Sequence, residues 1–374
     1  MVIALHNIQL ISGGTILSGK AVLIDGSKIS AVIDEASLPS NIQTVDFNGA
    51  YLAPGLIDMQ VYGAGTLFFG GEPSVAALQQ LEDNLINQGT TGFLATIATN
   101  SDAVVEQGIE AAKTYSQQAK GAFLGLHLEG PYLNAARKGA HPEKYIKKAT
   151  LSEITQWVEQ GEGIIKMITI APELQETEVI DYLNQQGIII SAGHTDASYE
   201  QASAFFSGQV QAATHLYNAM PQMHHRKPGI IPAIFEKRPY TSIVADGIHV
   251  SFAMIALAKR ELGDRLFFIT DAVTVANGGE YKHRLNGDHF VMPDGTLSGS
   301  NLTMLKAVQN GVQKAGIELA EAVNMASLYP AQLASLTRKG KIEAGFDADF
   351  IIFNDKFTPV ATVLQGNIIY TNKI

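Results

Sequence analysis

The chain has 374 residues, 46% of them hydrophobic and 17% charged, which fits one large globular domain with an accessory one and excludes a disordered chain. Its formal net charge of −10 argues against nucleic acid as a partner and repels an anionic ligand unless a local basic cluster receives it. With no cysteine, disulfides and thiolate ligands are both excluded, so a metal would rest on His, Asp, Glu or water.

The opening "MVIALHNIQLISGG" lacks a basic n-region and is broken by His6, Asn7 and Gln9, so it reads as a first strand. No apolar run approaches a membrane span, so no membrane partner is expected and a cytoplasmic location is the default. Short alternating segments fill the first fifty residues, with Asp25-Gly26 as a hairpin turn, and the last thirty-five echo them. Neither piece is long enough for a good core. The expectation is that residues 1–52 and 340–374 pair into one small β-sandwich beside a catalytic region over 53–339.

Between the ends, strand-like runs alternate with helical stretches. The runs fall at 56–62, 92–99, 123–129, 165–171, 188–194, 210–216, 241–248 and 266–271. The stretches "SVAALQQLEDNLINQG", "TLSEITQWVEQG" and "ETEVIDYLNQQG" suit helices capped by glycine. Eight such units predict an α/β fold, a (β/α)₈ TIM-type barrel. After the eighth strand, "GGEYKHRLNGDHFVMPDGTLSGS" reads as a hairpin followed by a loop. Trp157 lies in an amphipathic stretch and is expected to pack. The Gly-rich pieces at 70–74 and 276–280 lack a phosphate loop's ending and read as turns or flaps.

Catalytic groups of such barrels sit at the carboxyl ends of the strands. Here those ends carry Glu129, His194, His215, Asp246 with His249, and Asp271. Glu129, His194 and His215 have the composition of a catalytic zinc site with one position left for water, and other divalent metals would also suit them. Asp271 is the natural general base, able to take a proton from a metal-activated water and deliver it to a leaving group. His127 projects to the same face as Glu129 and is read either as orienting it or as a buried structural histidine. The first strand carries Gln60 and Tyr62 where many metal-dependent barrels carry two histidines. A neutral amide binds a divalent metal weakly compared with imidazole, so a metal would rest on residues further along the chain.

Together these segments resemble the amidohydrolase superfamily, and within it the branch that deacetylates N-acetylglucosamine 6-phosphate. The resemblance covers essentially the whole chain. It rests on "PGLID" (54–58), "HLEGPYLN" (127–134) with "KGAH" (138–141), and "GHTDAS" (193–198). "THLYNAM" (214–220), "ADGIHV" (245–250), "ITDAV" (269–273) and "SGSNLTM" (298–304) continue it. It implies metal ligation by Glu129, His194 and His215, acid/base catalysis by Asp271, and a hydrogen bond from His141 to the acetyl carbonyl. It implies substrate contacts at Ala140, Asn218, Ala219, Arg226 and His249, and along Leu302, Thr303 and Met304. One divalent ion per subunit follows, zinc foremost, with iron, cobalt or manganese as alternatives. A homodimer follows too, with the Arg226 loop reaching the neighbouring site.

The basic knot His224, His225, Arg226 and Lys227 supplies what an acidic protein needs to receive a phosphorylated amino sugar, with Arg226 suited to a bidentate contact. Two competing readings fail on residues. A binuclear, dihydroorotase-like hydrolase needs first-strand histidines and a lysine at the end of strand four, but Lys166 lies near that strand's start. A non-catalytic scaffold has no reason to keep Glu129, His194, His215, Asp271 and His141 together.

Overall fold

The computed structural model describes residues 2–276 and 278–371. The chain begins with β1 (Val2–Ser12), β2 (Thr15–Asp25), β3 (Lys28–Asp34) and β4 (Gln43–Pro54), and ends with β18 (Phe350–Phe353), β19 (Pro359–Leu364) and β20 (Asn367–Thr371). Strands from both chain ends thus form the small β domain, as one continuous seven-stranded sheet in the order β20-β19-β18-β4-β1-β2-β3. β4 is its junction, parallel to β1 and antiparallel to β18, with Ala53 opposite Ile351. Leu5, Val22, Phe350 and Val363 belong to a core of this domain's own, separate from the barrel core.

The eight parallel strands of the barrel are β5 (Leu56–Val61), β8 (Thr90–Ala98), β9 (Phe123–Glu129), β10 (Ile165–Ile170), β11 (Ile189–Ala192), β12 (Ala212–Ala213), β13 (Tyr240–Val244) and β14 (Leu266–Ile269). Between β5 and β8 a two-stranded ribbon, β6 (Gly63–Ala64) with β7 (Leu67–Phe68), precedes α1 (Val75–Asn87). All eight expected runs contain a strand. The later ones end two to four residues before the apolar run does, because the chain there turns towards the pocket.

Helices α1, α3 (Leu151–Gly161) and α4 (Thr177–Gln185) lie where the sequence places them, with Ser74 and Thr150 accepting from backbone N–H groups as N-caps of the first two. One expectation needs correction. Gly161 lies inside α3, and the left-handed turn that ends the helix is made by Glu162 (φ 47°) and Gly163 (φ 85°). A second correction concerns the insertion, where β15 (Arg284–Asn286), β16 (His289–Val291) and β17 (Leu297–Ser300) form a three-stranded sheet. The presumed loop is its third strand, and Ser300 bridges back to Ala272 beside the barrel. Trp157 is buried and stacked on Tyr132 at 5.6 Å, as packing predicts.

The barrel closes between β5 and β14 without a regular ladder. Asp271 N–H donates to the Gln60 carbonyl (3.0 Å) and Tyr62 N–H to the Ala272 carbonyl (2.9 Å). Deeper in the seam the bonds are made by a side chain. Asp58, wholly buried, accepts from the Thr270 hydroxyl, from Thr270 N–H (3.2 Å) and from Gln60 N–H (3.2 Å). Burial pushes its pKa up to about 7 from an ordinary 3.8, against the lowering effect of those hydrogen bonds.

Between pH 4 and 7 the unfolded chain therefore loses this proton while the native protein keeps it. The native state binds more protons there, so this group's contribution to stability falls as pH rises through that window. The full difference is about 4 kcal/mol. Asp58→Asn cannot ionise, so its unfolding free energy, measured by urea denaturation at each pH, should rise relative to wild type by up to that amount between pH 4 and 8. Parallel curves for the two proteins would show that Asp58 is charged in the native seam.

Candidate active site

The strand ends converge on one pocket at the carboxyl face of the barrel. Its lining includes Tyr62, Glu129, Ala140, His141, His194, His215, Asn218, Ala219, His249 and Asp271. His194, His215 and Asp271 all take left-handed backbone conformations, with φ 48°, 38° and 54°. Non-glycine residues adopt this region at a cost of about 1 kcal/mol or more each, and such costs gather where side chains must be aimed. Here the three left-handed turns swing the groups off the strand ends and into the pocket.

Glu129 is the hub. Its Oε1 faces His215 Nε2 at 3.2 Å and His194 Nε2 at 3.5 Å, and the two ring nitrogens are 3.0 Å apart. Donors held about 2.0–2.1 Å from a common centre at tetrahedral angles stand about 3.3–3.4 Å apart, so this triangle has the dimensions of a zinc-type ligand set. His194 Nδ1 donates to the Arg137 carbonyl (2.8 Å), which leaves a lone pair on Nε2. A lone pair facing a second ring nitrogen at 3.0 Å calls for a proton or a cation between them. Among the described residues, His215 Nδ1 has no partner. The residues fit one divalent cation.

His141 also lies close enough to share such a site, since Glu129, His141 and His194 bring donor atoms within 4.8 Å of one another. It addresses the other carboxylate oxygen, however, with Nε2 3.1 Å from Glu129 Oε2. That places it beside the triangle of Glu129 Oε1, His194 and His215. Although burial alone would raise the Glu129 pKa, hydrogen bonding, led by His141, holds it well below the ordinary carboxylate range. Asp271, across the pocket, is shifted upward by burial and by the Glu129 charge.

Gln60 joins the two carboxylates. Its amide nitrogen lies 2.9 Å from Glu129 Oε1, 2.8 Å from Asp271 Oδ1 and 3.0 Å from the Tyr62 hydroxyl, which itself donates to Glu129 Oε2. An amide facing two carboxylates must present N–H and not oxygen. The first strand thus offers donors where a second metal would require acceptors, which agrees with a single cation.

His127 does not orient Glu129. Its Nδ1 is 3.0 Å from the Met59 carbonyl and its Nε2 2.7 Å from the Thr169 hydroxyl, so it ties β5 to β10, and burial lowers its pKa to about 4. The structural reading of this histidine holds. His249 lines the pocket with its Nδ1 held 2.5 Å from Asp246 Oδ2. Leu302, Thr303 and Met304 are not among the lining residues. Leu302 and Met304 are buried, and Thr303 caps α8 (Met304–Ala315), while Leu297 and Ser298 of the preceding strand reach the pocket in their place. Arg226 is exposed with its basic neighbours, bonded to His225 Nε2 (2.8 Å), and is also absent from the lining. Sequence reading missed Phe68, Tyr281 and His283, which wall the pocket from outside the barrel strands.

The model of the amidohydrolase family matches residues 51–369, and that of the NagA composite domain matches residues 3–52. The chain is similar to the N-acetylglucosamine-6-phosphate deacetylase of Haemophilus influenzae, at 34% identity over 97% of this chain and 98% of that one. The Bacillus subtilis protein of the same name is 31% identical over 99% and 97%. Among solved structures, the N-acetylglucosamine-6-phosphate deacetylase of Pasteurella multocida superposes with a TM-score of 0.94 at 32% identity, with both chains covered in full. Among the described residues, no helix is long and apolar enough to cross a membrane.

Proposed function

The chain belongs to the amidohydrolase family, and on that premise we propose that this pocket hydrolyses the acetamide of N-acetylglucosamine 6-phosphate to glucosamine 6-phosphate and acetate. The observation that carries the reading is the triangle of Glu129, His194 and His215 with Asp271 opposite, joined through Gln60. Glu129, His194 and His215 would hold one divalent cation, zinc being the metal these donors suit best. When bound, such a cation supplies a Lewis acid that eases the ionisation of water and polarises an acyl carbonyl.

The remaining steps belong to the chain's own groups. Asp271 accepts a proton from the attacking water and returns it to the amide nitrogen as the C–N bond breaks. Its raised pKa favours that second role, since a carboxyl that holds its proton more firmly is a better acid to the leaving amine near neutrality. His141 Nε2 donates to the acyl oxygen as negative charge builds on it, an interaction stronger in the transition state than in the ground state. His249, Asn218 and Ala219 line the same pocket and would contact the sugar.

The phosphate end is assigned to Arg226. Because this arginine is exposed and outside the pocket of its own chain, it serves a neighbouring copy in a homodimer, where its guanidinium pairs with the phosphate. Arg226→Ala should raise KM for the phosphorylated sugar about 10- to 100-fold, the size of a lost charge-assisted contact. For unphosphorylated N-acetylglucosamine KM should stay within about twofold. Equal losses on both substrates would remove Arg226 from the phosphate site. The product's charge keeps it from leaking across a membrane, which suits a cytoplasmic reaction. The direct test of the whole reading is acetate release from N-acetylglucosamine 6-phosphate before and after chelation. Activity lost with the metal and regained on its return supports it; a protein that releases no acetate under either condition overturns it.

A further inference from the structure

The segment between β14 and β15 brings Tyr281 to the back of the pocket. Tyr281 is buried, and its hydroxyl donates to the Thr99 carbonyl at 2.8 Å, at the end of β8. The same oxygen lies 3.1 Å from His141 Nδ1, with the two rings nearly perpendicular at 88°. A carbonyl can only accept, so the phenol's one hydrogen is committed to Thr99 and its lone pairs must accept from His141. Nδ1 of His141 therefore carries a hydrogen. Nε2 faces the pocket, 3.1 Å from Glu129 Oε2, a carboxylate oxygen that can only accept, so it carries a hydrogen as well and both ring nitrogens donate.

Resting on the deacetylase reading above, we propose that Tyr281 is a positioning residue that fixes the ring of His141, anchoring Nδ1–H to the Thr99 end of the barrel and aiming Nε2 at the acyl oxygen. The phenol is well suited to this. Burial, and then the nearby charges of Glu129 and Glu280, hold its pKa well above the ordinary value, so it keeps its proton throughout. Its own ring is fixed by stacking on His283 at 5.6 Å and by the edge of Phe68 at 5.9 Å. Those packing contacts do not need the hydroxyl, so Tyr281→Phe isolates the hydrogen-bonding role from the structural one.

In the full-length metal-loaded enzyme, Tyr281→Phe should lower kcat about tenfold, the loss expected of one positioning hydrogen bond. KM should change less than about twofold, with metal content and Tm close to wild type. His141→Gln should lower kcat by about 10²–10³. Adding Tyr281→Phe to it should then cost nothing further, because the group through which Tyr281 acts is gone. A merely structural role would cost the same factor in both backgrounds, and that additive result overturns the proposal. A second measurement needs neither activity nor a variant that folds. Nitrogen-15 NMR of the wild-type histidines should show His141 Nδ1 protonated, and an unprotonated Nδ1 overturns the proposal. If wild type releases no acetate, the substrate reading fails, and the NMR result still decides whether Tyr281 sets the ring.

Discussion

Asp271→Asn should lower kcat by about 10³–10⁴, near the upper end of what positioned acid–base groups contribute, with KM little changed. The substitution is isosteric. Its oxygen can still accept from Gln60 Nε2, which lies 2.8 Å from Asp271 Oδ1, so the geometry of the seam survives. What it cannot do is carry a proton between two partners. In the proposed reaction the carboxylate is used twice, first as base towards water and then as acid towards nitrogen, and both uses would be lost together. Steady-state kinetics paired with calorimetric titration of substrate onto the inactive variant separates chemistry from binding. A loss of less than about tenfold in kcat would assign the proton transfers elsewhere.

Glu129→Gln should remove the bound cation. Among the described residues, Glu129 is the only carboxylate in contact with His141, His194 and His215, and its two oxygens divide them, His194 and His215 on one side and His141 with Tyr62 on the other. An amide of the same shape keeps one acceptor, loses the charge and turns an NH₂ towards neighbours that are themselves donors. Breaking a buried charged cluster in this way costs about 3–5 kcal/mol. The expected content is about one divalent ion per wild-type chain, set by the single three-ligand site, and a small fraction of that in the variant. Acetate release should fall at least about 10³-fold, matching wild type after chelation, and only wild type should recover when metal is returned. Two ions per wild-type chain by elemental analysis would make Gln60 or Tyr62 a ligand after all.

The barrel and its main site residues were legible because the fold forces them into a pattern. Parallel strands buried on both faces read as apolar runs, and a polar residue at the carboxyl end of such a run has few reasons to be there apart from chemistry. Glu129, His194, His215 and Asp271 all announce themselves in this way. Tyr281 does not, since its partner His141 is 140 residues away and neither lies at a strand end. Asp58 was visible only as a letter of a motif, because its use depends on Thr270 arriving from the opposite end of the barrel. The third strand of the insertion, Leu297–Ser300, reads as a loop in the sequence because "LSGS" carries no alternation of its own and is held by pairing with its neighbour. Gly161 reads as a cap for a related reason. A cap is set by where the helix runs out of packing, and that point falls one residue later, at Glu162.

The position of β4 at the middle of the terminal sheet sets an order of events during synthesis. β1 to β4 are made first and can pair among themselves, but the edge of β4 that receives β18 stays bare until residues 350–353 leave the ribosome. About 300 residues separate the two, roughly 15–60 s of translation at common rates. The first barrel strand follows β4 after Gly55 alone, and its own seam partner around Thr270 is more than half the chain away. Both closures are long-range, and both must wait. The nascent chain therefore carries two open strand edges through most of its synthesis, the period in which it most needs a chaperone to keep them from pairing with another copy.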